Sequence, residues 1–161
     1  MDRLWTPWRY RYISQTEPSE GCIFCLKAAE SKDAENYIVY RGHWNFVLLN
    51  LFPYTNGHLM IAPYQHVATL AGTPPDTLTE MMHLTRRAEL NLESAYHPDG
   101  LNLGMNLGAS AGAGVADHIH MHVVPRWRGD ANFMSTIGKT RVLPEELPVT
   151  YEKLAKLSWG E

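Results

Sequence analysis

The sequence lacks several features that would define its partners at once. No stretch approaches the ~18 apolar residues that a membrane span needs, and no block of like charges occurs in a chain of net charge −3. A broad basic face for nucleic acid is therefore not expected, although a small anionic ligand remains open. The first residues, which carry charges and aromatic rings, also lack the apolar core of a signal peptide. We expect a cytoplasmic protein that contacts neither a membrane nor nucleic acid.

Cysteine is scarce as well, because the chain contains only Cys22 and Cys25. In a reducing compartment, a C-x-x-C pair is more often a metal half-site or a redox pair than a structural disulfide. The redox motif opens a helix after a strand, and no strand clearly precedes this pair. Metal binding is therefore the favoured interpretation, and the other ligands must come from elsewhere in the chain.

Neither internal repeats nor low-complexity linkers divide the chain. Its hydrophobic content of 45% and charged content of 19% are typical of a globular protein. These observations favour one domain over residues 1–161, with an N-terminal arm over residues 1–20 that is rich in aromatic residues and arginine. We expect this arm to pack on the body of the protein or on a second subunit, and contact with a nucleotide is the alternative interpretation.

Residue patterns predict an α+β domain with antiparallel strands and one long helix. Apolar and alternating runs bounded by turn residues predict strands at 37–40, 45–50, 58–62, 101–107 and 117–124. Residues 77–80 match a capping box, and the apolar residues after it recur at helical spacings of three and four until residues 97–100. A short C-terminal helix is predicted near residues 150–158.

Three histidines, His118, His120 and His122, alternate with apolar residues along the last predicted strand. The strand period of two places the imidazoles on one face and the intervening apolar residues toward the core. Neighbouring histidines on one face lie ~6.6 Å apart, so the outer two are separated by roughly 13 Å. Because zinc–nitrogen bonds are ~2 Å long, one ion could join two neighbours but hardly all three. The row must therefore be divided between different functions.

A loop of small residues and glycine, at 106–114, lies directly before this row. Backbone N–H groups with so little side-chain obstruction can approach phosphate oxygens closely and donate hydrogen bonds to them. A glycine-rich loop alone is weak evidence of a ligand, since flexible turns have the same composition. Placed before a row of histidines, it indicates phosphoryl chemistry with an imidazole nucleophile.

Together these residues resemble the histidine-triad (HIT) superfamily, whose signature alternates three histidines with apolar residues. Residues 118–124 fit the signature at every position, and the resemblance extends over about 20–127. It implies a HIT-like fold, with an antiparallel sheet of about five strands, one long helix and a short C-terminal helix. The remaining residues, 128–161, would form a C-terminal extension.

Two further segments are similar to a narrower branch, the bacterial diadenosine tetraphosphate (Ap4A) phosphorylases. These segments are residues 4–9 in the N-terminal arm and residues 124–133 after the histidine row. One position departs from the branch, because Gly114 stands where the branch pattern has a serine near the phosphate. The departure concerns the preference for a phosphate acceptor and leaves the family resemblance unchanged.

The resemblance implies a nucleotidyl hydrolase or transferase that cleaves dinucleoside polyphosphates at the α-phosphorus. His120 would be the nucleophile and form a covalent nucleotidyl-imidazole intermediate, which phosphate or water then takes up. His122 would be the second catalytic residue, near the bridging or non-bridging oxygens. The residues implied to bind substrate are Asn50, His58, Asn106, Gly108, Gly112 and Gly114. The resemblance also leaves room for Mg²⁺ bound to the polyphosphate.

Zinc-binding members of the superfamily combine a C-x-x-C pair with a histidine after a Pro-x-x-His turn and with the first histidine of the triad. This sequence contains both features, so the resemblance implies a closed, structural Zn²⁺ site. Its ligands would be Cys22, Cys25, His66 and His118. His43 is the substitute ligand to test if His66 does not bind.

Two other functions remain open. A purine nucleoside phosphoramidase would split a P–N bond through the same intermediate, and a catalytically silent, zinc-stabilised nucleotide-binding protein would retain only the fold. The presence of both His120 and His122 speaks against the silent protein. The resemblance further implies a homodimer that pairs through the long helix and the central strand, and the phosphorylase-like segments leave a tetramer open.

Overall fold

The computed structural model describes residues 21–131 and 143–160. The predicted N-terminal arm therefore lies outside the described residues, as do the last two residues of the phosphorylase-like segment 124–133. The helices are α1 (Ile23–Ala29), α2 (Asp33–Asn36), α3 (Pro75–Tyr96) and α4 (Leu147–Ala155). The strands are β1 (Ile38–Arg41), β2 (Asn45–Leu49), β3 (Leu59–Pro63), β4 (Gly100–Gly104) and β5 (Met121–Arg126).

The five strands form one antiparallel sheet in the order β1-β2-β3-β5-β4. The predicted α+β class with about five strands is confirmed. Strand β5 lies between β3 and β4, and its register pairs His122 with Met60 and Val123 with Leu59. Because β5 is an inner strand, His122 at the end of the histidine row lies within the sheet and not at its edge.

Two apolar cores cover the two faces of the sheet. The larger core packs α3 and α4 against residues such as Val47, Ile61 and Val123. The smaller core packs Phe24 of α1 against the other face of β1, β2 and β3. Every residue of β2 is buried because its neighbours and both of its faces are covered, which explains why its sequence reads as a continuous apolar run.

The long helix α3 begins two residues before the predicted capping box, so that prediction is wrong. Its N-cap is Pro74 and its first residue is Pro75, where the fixed φ and missing N–H of proline suit the first turn of a helix. Glu80 lies inside the helix, and its carboxylate accepts hydrogen bonds from the backbone N–H groups of His43, in the β1–β2 turn, and Asn45, at the start of β2, at 2.6 and 2.7 Å. The predicted end is confirmed, because α3 stops at Tyr96.

The hydrogen-bonded part of the histidine strand begins at Met121, and not at residue 117 as predicted. The β3–β5 ladder ends with the pair Ile61 and Met121, and beyond it the Ile119 N–H donates to the Val67 carbonyl at 2.8 Å. The alternation nevertheless extends past the ladder, since Ile119 and Val123 are both buried in the larger core. The predicted division of the row into a histidine face and a core face is confirmed.

The other boundaries shift by a few residues, with β4 ending at Gly104 and α4 spanning Leu147–Ala155. Within residues 21–131 and 143–160, no helix combines the length and apolar character that crossing a membrane would require.

Candidate functional site

The three histidines share one face but belong to two groups of side chains. The ring of Phe24 lies against both His118 and His120, with ring centroids 5.2 and 4.8 Å apart. The His120 and His122 rings meet edge to face at 4.8 Å. His118 faces the two cysteines, whereas His120 and His122 face a cleft.

His118 completes a cluster of four metal-ligating side chains. Its Nδ1 lies 3.3 Å from the Cys22 Sγ and 3.6 Å from the Cys25 Sγ, and the His66 Nδ1 lies 3.4 Å from the Cys25 Sγ. All four ligand atoms lie within 4.8 Å of one another. Zinc bonds of ~2.3 Å to sulfur and ~2.0 Å to nitrogen place tetrahedral S and N ligands roughly 3.5 Å apart. The four residues therefore form a possible metal site, and its geometry suits zinc.

The hydrogen bonds around this cluster orient His118 as a ligand. Its Nε2 lies 2.8 Å from the Pro63 carbonyl oxygen, which can only accept, so Nε2 carries the proton and the Nδ1 lone pair faces the cysteines. Burial raises the pKa of the Cys25 thiol, and the neighbouring Cys22 raises it further. A bound cation would oppose both effects because it favours the thiolates. His43 takes no part, since it belongs to the β1–β2 turn and its ring packs on Trp44.

The backbone fixes the tautomer of His120. Its Nδ1 lies 2.9 Å from the carbonyl oxygen of His118, so Nδ1 donates and Nε2 retains a lone pair. The ring is 5% exposed, and burial lowers the pKa of His120 from its ordinary value. His120 is therefore a neutral imidazole with an available nucleophilic nitrogen at the cleft.

A chain of donors fixes the tautomer of His122 in the opposite sense. The Tyr54 backbone N–H donates to the His58 Nδ1 at 3.1 Å, so the His58 Nε2 carries a proton and donates to the His122 Nδ1 at 2.9 Å. Neutral His122 must then carry its own proton on Nε2. Burial, with a smaller contribution from the charge of a protonated His120, lowers the pKa of His122 to about 4. His122 is thus a neutral N–H donor beside His120.

The lining of the cleft is largely apolar and includes several polar groups. Its apolar lining includes Ile23, Phe24, Leu48, Leu49, Phe52 and Val115, and its polar lining includes Lys27, Asn50, Asn106, His120 and His122. Such a combination is typical of sites that hold a flat apolar ring together with a polar or charged tail. The backbone of the glycine-rich loop also borders the cleft at Gly112 and Gly114.

Most of the predicted substrate-binding residues therefore lie together. Asn50, Asn106, Gly112 and Gly114 border the cleft, whereas Gly108 and His58 are not among the lining residues. His58 is 1% exposed and lies behind His122, so it reaches the cleft through that ring. Direct contact of any of these six residues with a substrate stays a prediction.

Helix α1 is the part of the cleft that the sequence patterns did not reveal. Ile23, Phe24 and Lys27 all line the cleft, yet the segment is too short to show a helical repeat. A signal was present nevertheless, because the two apolar residues between Cys22 and Cys25, of which Phe24 is buried, are held at both ends if the cysteines bind a metal. Tyr54 was also missed, and its ring stacks on His58 at 5.1 Å.

The fold and the site define an α+β protein in which two neutral histidines, His120 and His122, border a largely apolar cleft. Comparison with protein families identifies the family: residues 31–129 match the HIT domain. The chain belongs to the HIT family, and the resemblance drawn from the histidine row is confirmed.

Individual relatives support this assignment over most of the chain. The AP-4-A phosphorylase of Mycobacterium tuberculosis is 39% identical over 162 residues, covering 96% of this chain and 83% of the relative. A Zn-bound histidine triad family protein from Mycobacterium smegmatis is 29% identical with a TM-score of 0.68, covering 84% of this chain and 91% of that one. A hypothetical histidine triad nucleotide-binding protein from Sulfolobus tokodaii is 27% identical with a TM-score of 0.67, covering 84% and 90%.

Proposed function

We propose that this protein is a nucleotidyl hydrolase or transferase that cleaves dinucleoside polyphosphates of the Ap4A type at the α-phosphorus. The observation that carries the proposal is the neutral His120 ring, whose Nδ1–H is bound to the His118 carbonyl and whose Nε2 lone pair is available at the cleft. The 39% identity to a mycobacterial AP-4-A phosphorylase supports this substrate class.

In the first step, the His120 Nε2 attacks the α-phosphorus and forms a P–N bond, while the bond from phosphorus to the bridging oxygen breaks. With Ap4A, the adenylyl group stays on His120 and ATP leaves with the bonding electron pair. The N–H that His122 carries on Nε2 would stabilise charge on the bridging or non-bridging oxygens. The backbone N–H groups near Gly112 and Gly114 are further donors for the phosphates.

In the second step, an oxygen nucleophile attacks the same phosphorus and the P–N bond breaks, which returns the lone pair to the His120 Nε2. Attack by inorganic phosphate releases ADP, and attack by water releases AMP. A phosphoramidate of imidazole is reactive enough for this turnover, which explains the use of histidine where a serine ester would be more stable. Asn50 and Asn106 border the cleft where the ribose and the phosphates would lie.

The metal cluster has a separate role in this proposal. Cys22, Cys25, His66 and His118 would hold a structural Zn²⁺, and the Zn-bound relative from Mycobacterium smegmatis supports this choice of metal. When bound, zinc supplies a closed four-ligand cross-link between α1, the segment after β3 and the start of the histidine row. Homodimer formation and a cytoplasmic location stay predictions, and light scattering of the purified protein tests the first.

The test is incubation of the purified protein with Ap4A, with and without inorganic phosphate, and with Mg²⁺ as a separate variable. ADP and ATP formed only with phosphate would identify a phosphorylase, and AMP and ATP formed without phosphate would identify a hydrolase. Rapid quenching of the reaction should also trap the covalent intermediate, seen as a chain heavier by the mass of one adenylyl group. The His120→Ala variant should not form this intermediate. Cleavage of adenosine 5′-phosphoramidate with no cleavage of Ap4A would overturn the proposal in favour of a phosphoramidase.

A further inference from the structure

Helix α1 joins the metal cluster to the nucleotide cleft within a single turn of chain. Cys22 is its N-cap and Cys25 lies in its first turn, and both belong to the metal cluster. The two residues between them, Ile23 and Phe24, line the cleft. The same turn therefore faces a metal on one side and a ligand on the other.

Phe24 is the side chain through which the two sites touch. Its ring lies 5.2 Å from the ring of the metal ligand His118 and 4.8 Å from the ring of the nucleophile His120. Only 3% of Phe24 is exposed, so its ring covers one face of His120 and helps to bury it. A displacement of Phe24 would therefore both open the wall of the cleft and expose His120, the proposed nucleophile.

The two ends of α1 are held by different means. At the C-terminal end, the Arg41 guanidinium donates to the Ala28 and Glu30 carbonyls at 2.8 and 2.6 Å. At the N-terminal end, within the described residues, Cys22 provides no side-chain hydrogen bond to the helix. A seven-residue helix is too short to be stable by itself. The position of the N-terminal turn thus depends on its packing and on the two cysteine ligands.

We infer that metal binding at this cluster positions Phe24 and the first turn of α1, and thereby sets the affinity of the cleft for nucleotide. Without the metal, Arg41 keeps the C-terminal end of α1 in place while the N-terminal turn samples other positions. Phe24 is then a positioning residue for His120 and for the nucleoside, controlled by a metal that takes no part in the bond exchange. The inference rests on the proposed nucleotide function of the cleft.

The first experiment weakens the metal site without touching α1, by the substitution His66→Ala. His66 is exposed and is not among the residues that line the cleft. AMP binding is measured by calorimetry while free Zn²⁺ is buffered from excess to none. If the first turn is correctly placed a tenth of the time without metal, the Kd for AMP rises about tenfold. His66→Ala should show this rise at higher free Zn²⁺ than the wild type, and an AMP affinity independent of bound zinc would overturn the inference.

The second experiment changes Phe24 and keeps the metal. Phe24→Leu should retain one zinc per chain but bind AMP more weakly, and the NMR resonances of the His120 ring should shift because an aromatic neighbour is lost. Leu26→Ala is the matched control, since Leu26 lies on the same helix, is 48% exposed and does not line the cleft. Equal AMP affinities and equal His120 resonances in the two variants would contradict the role of Phe24.

The outcomes separate this inference from the proposed function. If no form of the protein binds AMP, the proposed function fails, and the contact between the metal site and His120 is judged by NMR alone. A shift of the His120 resonances on zinc removal supports the positioning role, and unchanged resonances overturn it. Circular dichroism checks that the metal-free protein remains folded. If the metal-free protein unfolds, the comparison of Phe24→Leu with Leu26→Ala decides whether Phe24 has the positioning role.

Discussion

The two ends of the histidine row carry the same side chain in two chemical roles. At one end, the His118 Nε2–H is held by the Pro63 carbonyl, and Nδ1 joins two cysteines and a second histidine. At the other end, which comprises His120 and His122 beside the cleft, the His120 Nδ1–H is held by the His118 carbonyl, and Nε2 is available at the cleft. Neutral imidazole has one donor and one acceptor nitrogen, so a single carbonyl decides which nitrogen is left for chemistry.

Histidines only two residues apart in this row therefore have different chemical surroundings, although composition alone would treat all three as equivalent. One imidazole belongs to a cluster of four possible metal ligands, and its neighbour two residues later borders an open cleft. His122 completes the contrast, because a side chain, His58, and not a backbone carbonyl, determines its tautomer. A possible metal ligand, the proposed nucleophile and an N–H donor therefore follow one another within five residues.

The largest effect expected from the cleft end comes from removing the nucleophile. His120→Ala should lower kcat for Ap4A by at least about 10⁴-fold, as losses of essential nucleophiles do, while AMP binding changes little. Steady-state kinetics and calorimetry measure the two quantities. His83→Ala is the matched control, because His83 is exposed on α3 and should leave kcat unchanged; comparable turnover in the two variants would refute the role of His120.

A smaller effect is expected when the donor that orients His122 is removed. His58→Leu takes away the N–H that fixes the His122 tautomer, so kcat should fall about 10–100-fold, in the range known for residues that orient a functional histidine by a hydrogen bond, with little change in KM. His58→Gln should recover part of the loss because an amide can still donate to Nδ1. A nitrogen NMR spectrum of His122 reports the tautomer directly, and an unchanged tautomer in His58→Leu would contradict this assignment.

At the metal end, the expected effect is on stability. Cys22→Ser should reduce bound zinc to well below one per chain, as measured by elemental analysis without chelators. Zinc present at ~1,000 times its Kd stabilises a folded chain by about 4 kcal/mol, which corresponds to roughly 10 °C in Tm at this size. His43→Ala serves as the control, since His43 lies outside the cluster, and it should bind zinc normally. A full zinc complement in Cys22→Ser would break the contrast between the two ends.

The smallest effect concerns pH. Protonation removes the His120 lone pair, so activity must fall as pH decreases; an unperturbed histidine of pKa 6.5 would already cost about half of kcat/KM at pH 6.5. Burial lowers the pKa of His120 and lowers that of His122 to about 4. The acidic loss should therefore begin below pH 6.5, and the change between pH 8 and 6.5 should be less than about twofold. An acidic midpoint at or above pH 6.5 would contradict the burial of these rings.

The sequence predicted well those features that depend on local patterns. The strand at 45–50 and the end of the long helix follow from an apolar run and from turn residues, and the structure places them within one residue. The start of α3 was missed because Glu80 serves the β1–β2 turn, a contact 35 residues away from Asn45. A capping box is indistinguishable from such a carboxylate when only four residues are considered.

The candidate site likewise contains features that local patterns predict and features that depend on distant contacts. The alternation of the histidines fixed their common face, but the spacing of Cys22 and Cys25 alone left the other metal ligands open, since Cys22 meets His118 across 96 residues. Only the family resemblance supplied His66 and His118. The donor role of His58 depends on a contact with His122 across 64 residues, which no local pattern encodes.

Gly57 links the position of His58, which lies behind the cleft, to the packing of α3. Its φ is +75°, and a Cβ at this position would lie 2.9 Å from the Leu92 Cδ2 in α3. The backbone just before His58 therefore packs directly against the Leu92 side chain, and a methyl group would not fit between them unless that side chain moved. We expect that repacking α3 at Leu92 would shift His58 and, through its hydrogen bond, the His122 ring, so that the packing of the core helps to set the position of the cleft histidines.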